Sequence, residues 1–176
     1  TPAEVPLPFA TESVEAMAKV TAVLETSLGD ITIGVTPEKA PEHVRNFLRL
    51  AALGVYDGTT WHRVVKGFVV QTGMMTTRKT PLSDAQERQI HQLKAEFNDQ
   101  RHDVGVVSMA RQAEVDSAST SFFIVTAPTP SLDQKYTVFG KVLAGLEVVK
   151  AIEAVPVNGE APVDEVVLRR VRVVIP

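Results

Sequence analysis

Residues 61–73 read Trp61-His62-Arg63-Val64-Val65-Lys66-Gly67-Phe68-Val69-Val70-Gln71-Thr72-Gly73. Apolar and β-branched residues fill both halves of this stretch and a Lys-Gly pair divides them, so the pattern predicts a hairpin. Alternation along its second strand places Val69 and Gln71 on one face. Phe68 and Val70 then lie on the opposite face. Arg63 and Gln71 are polar residues in an otherwise apolar hairpin, which makes them candidates for function.

Arg63 has two interpretations from the pattern alone. Arginine is usually exposed, which favours a guanidinium that points to solvent and a Gln71 that ends its strand. A buried guanidinium must instead be paired and hydrogen-bonded. The neighbouring His62 suggests a general base or a metal ligand, but a structural histidine beside Trp61 is the favoured interpretation.

Outward from this hairpin, the chain is rich in predicted strands. Runs of β-branched and apolar residues separated by turn residues predict eight of them. They cover residues 20–26, 30–35, 59–65, 68–71, 104–110, 121–126, 137–143 and 163–175. Because these strands do not alternate with helices, the pattern predicts an antiparallel barrel or sandwich rather than a parallel sheet.

Three helices are predicted between the strands. The first begins at Pro41 and ends before a glycine, with apolar residues at i, i+3, i+4 and i+7 along one face. The second covers residues 146–154. The third is a short helix over 83–94, in which Ser83 has capping-box spacing to a glutamine three positions on. It lies in a polar surface excursion over residues 76–100.

Length and composition predict the domain organisation. The chain has 176 residues, which favours a single domain with a core of its own. Residues 1–19 carry prolines at positions 2, 6 and 8 and are predicted to form a tether that includes one short helical turn. Residues 20–176 form the domain.

Composition also disfavours several classes of function. The 18 basic and 21 acidic residues give a net charge of −3, which disfavours sequence-independent binding of nucleic acid. The chain has no cysteine, so disulfides, zinc–thiolate sites and cysteine nucleophiles are excluded. No apolar run is long enough to cross a membrane, and no signal peptide is recognised.

The hairpin is one of several motifs that together resemble a known family. The run His62-Arg63-Val64-Val65-Lys66-Gly67-Phe68, followed by Gln71 and Gly73, resembles the signature of the cyclophilin-type peptidyl-prolyl isomerases. The resemblance continues in Val107-Ser108-Met109-Ala110, Ser119-Thr120-Ser121-Phe122-Phe123-Ile124, Leu132-Asp133 and Val138-Phe139-Gly140-Lys141-Val142. It implies a mainly β fold, an eight-stranded antiparallel barrel capped by two α-helices, with the substrate groove on the outside.

The resemblance also implies roles for individual residues, and it favours a functional Arg63 over a solvent-facing one. Arg63 is expected to be the principal catalytic residue, with Gln71 and Phe123 beside it in the catalytic site. The substrate-binding residues that it implies are Phe68, Val69, Ala110, Arg111, Ser121, Leu132 and Tyr136. Phe122 is the neighbour of Phe123 in a strand, so it is expected to face the core.

The implied reaction is rotation about X-Pro peptide bonds in protein substrates, which assists folding. Rotation is slow because the amide resonance opposes it with a barrier of about 18–20 kcal/mol. No bond is broken, so no cofactor or metal is expected. A guanidinium such as that of Arg63 can stabilise the twisted state by donating to the proline nitrogen, since it is permanently charged and a rigid donor.

Two other classes of function remain open at this point. The first is a proline-segment binding module or holdase chaperone with little turnover, which would use the same pocket. The second is a hydrolase built on His62, which is disfavoured because the chain lacks cysteine and any serine motif for a nucleophile. A peptide cis-trans exchange assay separates the isomerase from the binding module.

The sequence departs from the family pattern at several positions. The usual Gln-Gly-Gly is Gln71-Thr72-Gly73, and the family often has glutamine at Ser121 and tryptophan at Ser131. Because of Ser131, only weak cyclosporin binding is expected. Tyr136 replaces a common histidine, as in bacterial relatives. With the proline-rich leading segment, it favours a periplasmic or otherwise exported protein over a cytoplasmic one. The family resemblance separately implies a monomer.

Overall fold

One curled antiparallel sheet forms most of the molecule, of which the computed structural model describes residues 7–176. The strands in chain order are β1 (Thr21–Thr26), β2 (Gly29–Val35), β3 (Thr59–Thr60), β4 (Arg63–Val65), β5 (Val69–Thr72), β6 (Val106–Met109), β7 (Phe122–Val125), β8 (Val138–Ala144), β9 (Val157–Asn158), β10 (Ala161–Pro162) and β11 (Val167–Val174). Nine of them lie in the order β3-β11-β1-β2-β8-β6-β7-β5-β4, while β9 and β10 form a separate hairpin. The predicted mainly β, antiparallel class is confirmed.

The two ends of the sheet meet at the start of the stretch formed by residues 61–73. β3 and β4 stand at opposite ends of the strand order, yet only Trp61 and His62 separate them in the chain. The Thr72 hydroxyl on β5 donates to the Thr60 carbonyl on β3 at 2.9 Å. The strand predicted over 59–65 is therefore interrupted, because the chain bends at the fully buried Trp61 to pass from one edge to the other.

In the described part of the chain, four α-helices accompany the sheet: α1 (Val14–Ala18), α2 (Pro41–Ala52), α3 (Asp84–Glu87) and α4 (Leu146–Glu153). The two long helices, α2 and α4, have the predicted positions, and α2 packs on β11 while α4 packs on β2 and β5. The predicted apolar face of α2 is fully buried at Val44, Phe47 and Leu48. None of the helices within residues 7–176 is long and apolar enough to cross a membrane.

The segment before β1 packs on the domain, which corrects the predicted tether for residues 7–19. Phe9 and Met17 belong to the hydrophobic core and are buried. Arg45 on α2 donates to the backbone carbonyls of Phe9 and Glu12 at 2.7 and 2.8 Å, which anchors the chain between them. The predicted helical turn is α1. The part of the predicted tether at residues 1–6 lies outside the described residues.

The third helix is much shorter than predicted. Ser83 forms the expected capping box with Gln86, but α3 spans only residues 84–87. Beyond it the chain is extended, since the Leu93 N–H donates to the Ala118 carbonyl at 2.8 Å in an isolated antiparallel bridge. Leu93 faces inward as predicted, but it does so from an extended backbone that takes the place of the helix.

The interior of the barrel is filled with side chains. Four aromatic rings, those of Phe47, Tyr56, Phe122 and Phe139, contact one another there at centroid distances between 5.2 and 6.3 Å. Strand alternation turns the next residue, Phe123, to the outer face, where a second and smaller apolar cluster lies. This outer cluster is where a ligand could reach apolar side chains, because the interior is closed.

Candidate active site

A row of four residues crosses the outer face of the sheet. Arg63 on β4 is the direct cross-strand partner of Gln71 on β5, Gln71 is the partner of Phe123 on β7, and Phe123 is the partner of Ser108 on β6. Directly opposed residues of neighbouring strands have side chains on the same face, about 5 Å apart. The pairing register therefore brings together residues that lie up to 60 positions apart in the chain.

A cavity of about 190 Å³ opens above this row. It is lined by Arg63, Phe68, Val69, Gln71, Ala110, Arg111, Phe123, Leu132 and Tyr136. The structure thus brings nine of the predicted site residues to one place.

The prediction for Phe68 from strand alternation is wrong. Alternation placed Phe68 on the face opposite Val69, but Phe68 precedes β5, in the turn, so its ring joins the outer cluster beside Val69.

The Arg63 guanidinium is held on two sides at the edge of the cavity. Its Nε donates to the carboxylate of Glu160, and its Nη1 lies 3.5 Å from Gln71 Oε1. Its Cζ is 5.8 Å from the centre of the Phe68 ring. The side chain is 38% exposed, so it neither points freely into solvent nor is fully buried. The arrangement leaves a permanently charged guanidinium with unused N–H groups beside a cavity whose floor is the apolar cluster around Phe123.

Arg111 and Tyr136 form the opposite rim. The Arg111 guanidinium lies 4.7 Å from the centre of the Tyr136 ring, and its Nε and Nη2 donate to the Lys135 carbonyl at 3.0 and 2.8 Å. The Tyr136 ring meets the Phe123 ring edge-on at 5.8 Å. This edge-to-face contact fixes one wall of the cavity against its floor.

A buried histidine supports the floor of the cavity, and sequence reasoning did not identify it. The His102 ring stacks on the Phe123 ring at 6.1 Å. His102 Nδ1 lies 3.0 Å from Asp133 Oδ1, and its Nε2 lies 3.0 Å from the Ser108 hydroxyl. Because a carboxylate can only accept, Nδ1 carries the proton and the Ser108 hydroxyl donates to Nε2.

The pKa values of this group follow from its surroundings. Burial lowers the pKa of His102, since a charged ring is poorly solvated there. The hydrogen bond that the His102 backbone N–H donates to Asp133, at 2.7 Å, is the main cause that lowers the pKa of the Asp133 carboxyl. His102 is therefore neutral near pH 7, and it ties the segment after Leu132 to β6.

Comparison with known proteins identifies the family. Residues 21–173 match the family model for the cyclophilin type peptidyl-prolyl cis-trans isomerases. The chain belongs to this family. It is 36% identical over 156 residues to the peptidyl-prolyl cis-trans isomerase cypE of Dictyostelium discoideum, which covers 85% of this chain and 95% of the relative. It is 43% identical over 136 residues to the mouse peptidyl-prolyl cis-trans isomerase-like 3, covering 77% and 83%.

A solved cyclophilin structure has the same fold. The Cryptosporidium parvum cyclophilin type isomerase, crystallised in the presence of the dipeptide Ala-Pro, superposes with a TM-score of 0.76 at 28% identity. The match covers 86% of this chain and 96% of that protein. Membership of the isomerase family and its barrel, both implied by the motif resemblance, are thus confirmed.

The remaining predicted residue, Ser121, does not line the cavity of about 190 Å³ in this cyclophilin. It lies in a neighbouring cavity of about 220 Å³, which shares Gln71, Ala110 and Arg111 with the first. The two cavities therefore form one groove. The three shared residues separate its two halves, and we call this part of the groove the saddle. Gly73 is close to the saddle, and a Cβ there would stand 2.8 Å from the Thr120 carbonyl, so only glycine fits at its φ of +87°.

The histidines of this cyclophilin do not form a hydrolytic site. Ser108, His102 and Asp133 have the hydrogen-bond order of a catalytic triad, but the Ser108 side chain is completely buried beneath Phe123 and cannot reach a substrate. His62 does not line the cavity, and burial lowers its pKa. Within residues 7–176, no group of three His, Asp or Glu side chains could hold a metal ion.

Proposed function

We propose that Arg63, Gln71 and Phe123 form the catalytic centre of a peptidyl-prolyl cis-trans isomerase that acts on X-Pro bonds of protein substrates. The observation that supports this best is the cross-strand row, which holds a clamped guanidinium and an amide beside the apolar floor of the cavity. The cavity accepts the proline ring against Phe123, Val69 and Leu132. The ring is then fixed while the preceding carbonyl rotates.

The guanidinium favours the twisted state over both planar isomers. Twisting localises the lone pair on the proline nitrogen, and this nitrogen then becomes a hydrogen-bond acceptor. An Arg63 N–H that donates to it stabilises the transition state more than the ground state, which is the requirement for catalysis. Gln71 assists by holding Nη1 from the side of β5. The reaction needs neither a nucleophile nor a cofactor.

The expected substrates are extended or unfolded polypeptides that contain proline. The groove continues from the proline cavity over the saddle into the second cavity, which can take a side chain next to the proline. The Ala-Pro dipeptide present with the Cryptosporidium parvum relative supports this class of ligand. The proposed state is a monomer, as the family resemblance implies.

The deciding experiment is cis-trans exchange of a short X-Pro peptide, followed by nuclear magnetic resonance with catalytic amounts of protein. An isomerase accelerates exchange far beyond the uncatalysed time of tens to hundreds of seconds. Arg63→Ala, purified identically, controls for contaminating isomerase. Binding of the peptide without accelerated exchange would instead support the holdase alternative.

The catalysed rate is expected to be nearly independent of pH between 6 and 8. Rotation about a peptide bond transfers no proton, so none of the proposed groups has to gain or lose a proton during turnover. The two histidines nearest the site, His62 and His102, have pKa values lowered by burial. Measuring kcat/KM across this range tests the expectation, and a bell-shaped profile would indicate an acid–base pair instead.

Cyclosporin is expected to inhibit this cyclophilin only weakly. Ser131, an exposed residue beside Leu132, stands where strong binders of the family present tryptophan. Partial burial of such a ring against the ligand is worth about 1–3 kcal/mol, or about 5- to 150-fold in affinity. Catalysis should depend less on this position, because the proline lies mainly over Phe123.

The matching test is the variant Ser131→Trp, which should recover part of the inhibition and keep its exchange activity. Inhibition constants of both proteins should be measured beside a tryptophan-bearing relative. Equal, tight inhibition of that relative and of the unmodified protein would show that position 131 does not govern the affinity.

A further inference from the structure

Glu160, the partner of the Arg63 Nε, lies at the tip of the β9–β10 hairpin. Asn158 pairs with Ala161, so Gly159 and Glu160 are the two central residues of the turn. Gly159 has a φ of +69°, which glycine adopts without strain in such turns. The turn thus projects one acidic side chain, and that side chain reaches the edge of the proline cavity.

The backbone fixes the position of this turn relative to the catalytic strand. The Val64 N–H donates to the Glu160 carbonyl at 2.7 Å, which links the backbone of the hairpin to β4. Val64 is the residue next to Arg63. The backbone of Glu160 is therefore held close to Arg63. The ion pair can form without bringing together two side chains from unconnected parts of the surface.

Glu160 and Gln71 contact two of the three guanidinium nitrogens of Arg63. Glu160 engages Nε, and Gln71 lies beside Nη1, so that the described contacts leave Nη2 unused. An unpaired arginine side chain samples many rotamers. Contacts on both Nε and Nη1 restrict these rotamers beforehand, so less side-chain conformational entropy is lost when the transition state forms. The clamp leaves Nη2 without a partner among residues 7–176, so its N–H groups can donate to a substrate in the cavity that Arg63 lines.

We propose that Glu160 is a positioning residue for Arg63, which holds the guanidinium so that its free N–H groups face the proline nitrogen. The proposal rests on the proposed isomerase function. It assigns no contact between Glu160 and the substrate, so the carboxylate acts through the arginine. It predicts that Glu160 affects the rate of the bound substrate rather than substrate binding.

The test compares Glu160→Ala and Glu160→Gln with the control Glu165→Ala. Glu165 forms a similar exposed ion pair with Lys79, so the control removes the same charge from the same part of the chain. With an uncharged, end-blocked peptide, Glu160→Ala should lower kcat by about 5- to 20-fold and leave KM within about twofold. Glu160→Gln should fall in between, because its amide oxygen can still accept, and Glu165→Ala should match the unmodified protein.

A double-mutant cycle shows whether Glu160 acts through Arg63. In an Arg63→Ala background, Glu160→Ala should have no further effect on the residual rate. The side-chain Nε–H resonance of Arg63 should shift in Glu160→Ala and stay in place in Glu165→Ala. These variants should fold normally, since an exposed pair contributes little to stability.

Three results would overturn the proposal. They are an unchanged or increased kcat in Glu160→Ala, a loss confined to KM, or an equal loss in the Arg63→Ala background. In each of these cases an active unmodified protein would leave the isomerase function intact. An inactive unmodified protein would instead remove the proposed function, and the positioning role with it.

Discussion

Arg63→Ala is expected to lower kcat/KM for an X-Pro peptide by about 30- to 1000-fold, equivalent to about 2–4 kcal/mol of transition-state stabilisation. The loss follows because the variant removes the permanent charge at the edge of the cavity and leaves Gln71 without its partner. Exchange rates and thermal unfolding should be measured on the same samples. The fold should survive, since Arg63 is a partly exposed residue whose ion pair lies at the surface.

Two further variants complete this experiment. Arg63→Lys should recover little activity, because a flexible ammonium lacks the planar fork that Glu160 and Gln71 clamp together. Arg170→Ala is the matched control, since Arg170 is an exposed arginine on β11 that pairs with Glu25, and it should behave as the unmodified protein. Activity of Arg63→Ala within about threefold of the unmodified protein would refute the mechanism.

His102→Leu is expected to lower the free energy of unfolding by about 2–4 kcal/mol, because it leaves the buried Ser108 hydroxyl without its acceptor and removes the side-chain bond to Asp133, which keeps only the bond from the backbone N–H of residue 102. Chemical denaturation measures the loss. In the folded fraction KM should rise, since the Phe123 ring loses the ring on which it stacks. If His102→Leu does not fold, Asp133→Asn tests the same network more mildly, and unchanged stability in both variants would contradict the supporting role.

The same histidine makes stability depend on pH, in a direction that its environment fixes. The pKa of His102 is lowered by burial, so the unfolded chain takes up a proton below about pH 6.5 while the folded chain does not. The free energy of unfolding should therefore fall as the pH is lowered from 7.5 to 5.5, with His62 contributing in the same sense. His102→Gln should flatten this slope, whereas His91→Gln, at an exposed position, serves as the control.

Asp133 does not alter the expected change in the free energy of unfolding between pH 7.5 and 5.5. Its pKa is lowered chiefly by the hydrogen bond from the His102 backbone, so the stability that it adds is present above about pH 4 and is lost only in stronger acid. A free energy of unfolding that rises between pH 7.5 and 5.5 would contradict the neutral, buried histidine.

Local sequence patterns predicted the barrel because its strands obey simple alternation. Val70 and Ile124 face the core, while Val69 and Phe123 face outward, as period-two burial requires. Local sequence patterns gave the wrong structure where a contact between residues far apart in the chain replaced the locally preferred helix. The capping box at Ser83 predicted where a helix begins, but its early end depends on a backbone bridge to Ala118.

The same distinction applies to the candidate site. Arg63, Gln71 and Phe123 were found because they lie in motifs that the family shares. Glu160 and His102 were not, since each is a single polar residue whose partner lies far along the chain: Glu160 is 97 positions from Arg63, and His102 is 31 positions from Asp133. The Asn158-Gly159 pair is a hairpin signal that could have directed attention to the turn.

The pairing of β1 with β11 affects how this protein can be synthesised. Thr21 pairs with Val174, so one edge of β1 has no partner until the about 150 residues that follow it, up to the end of β11, have left the ribosome. At translation rates of about 5–20 residues per second, that interval is roughly 8–30 s. During this time β1 can pair with β2, but its other edge offers unpaired backbone groups to any neighbouring chain. A protein expected to assist the folding of others is thus itself open to misassociation until β11 is in place.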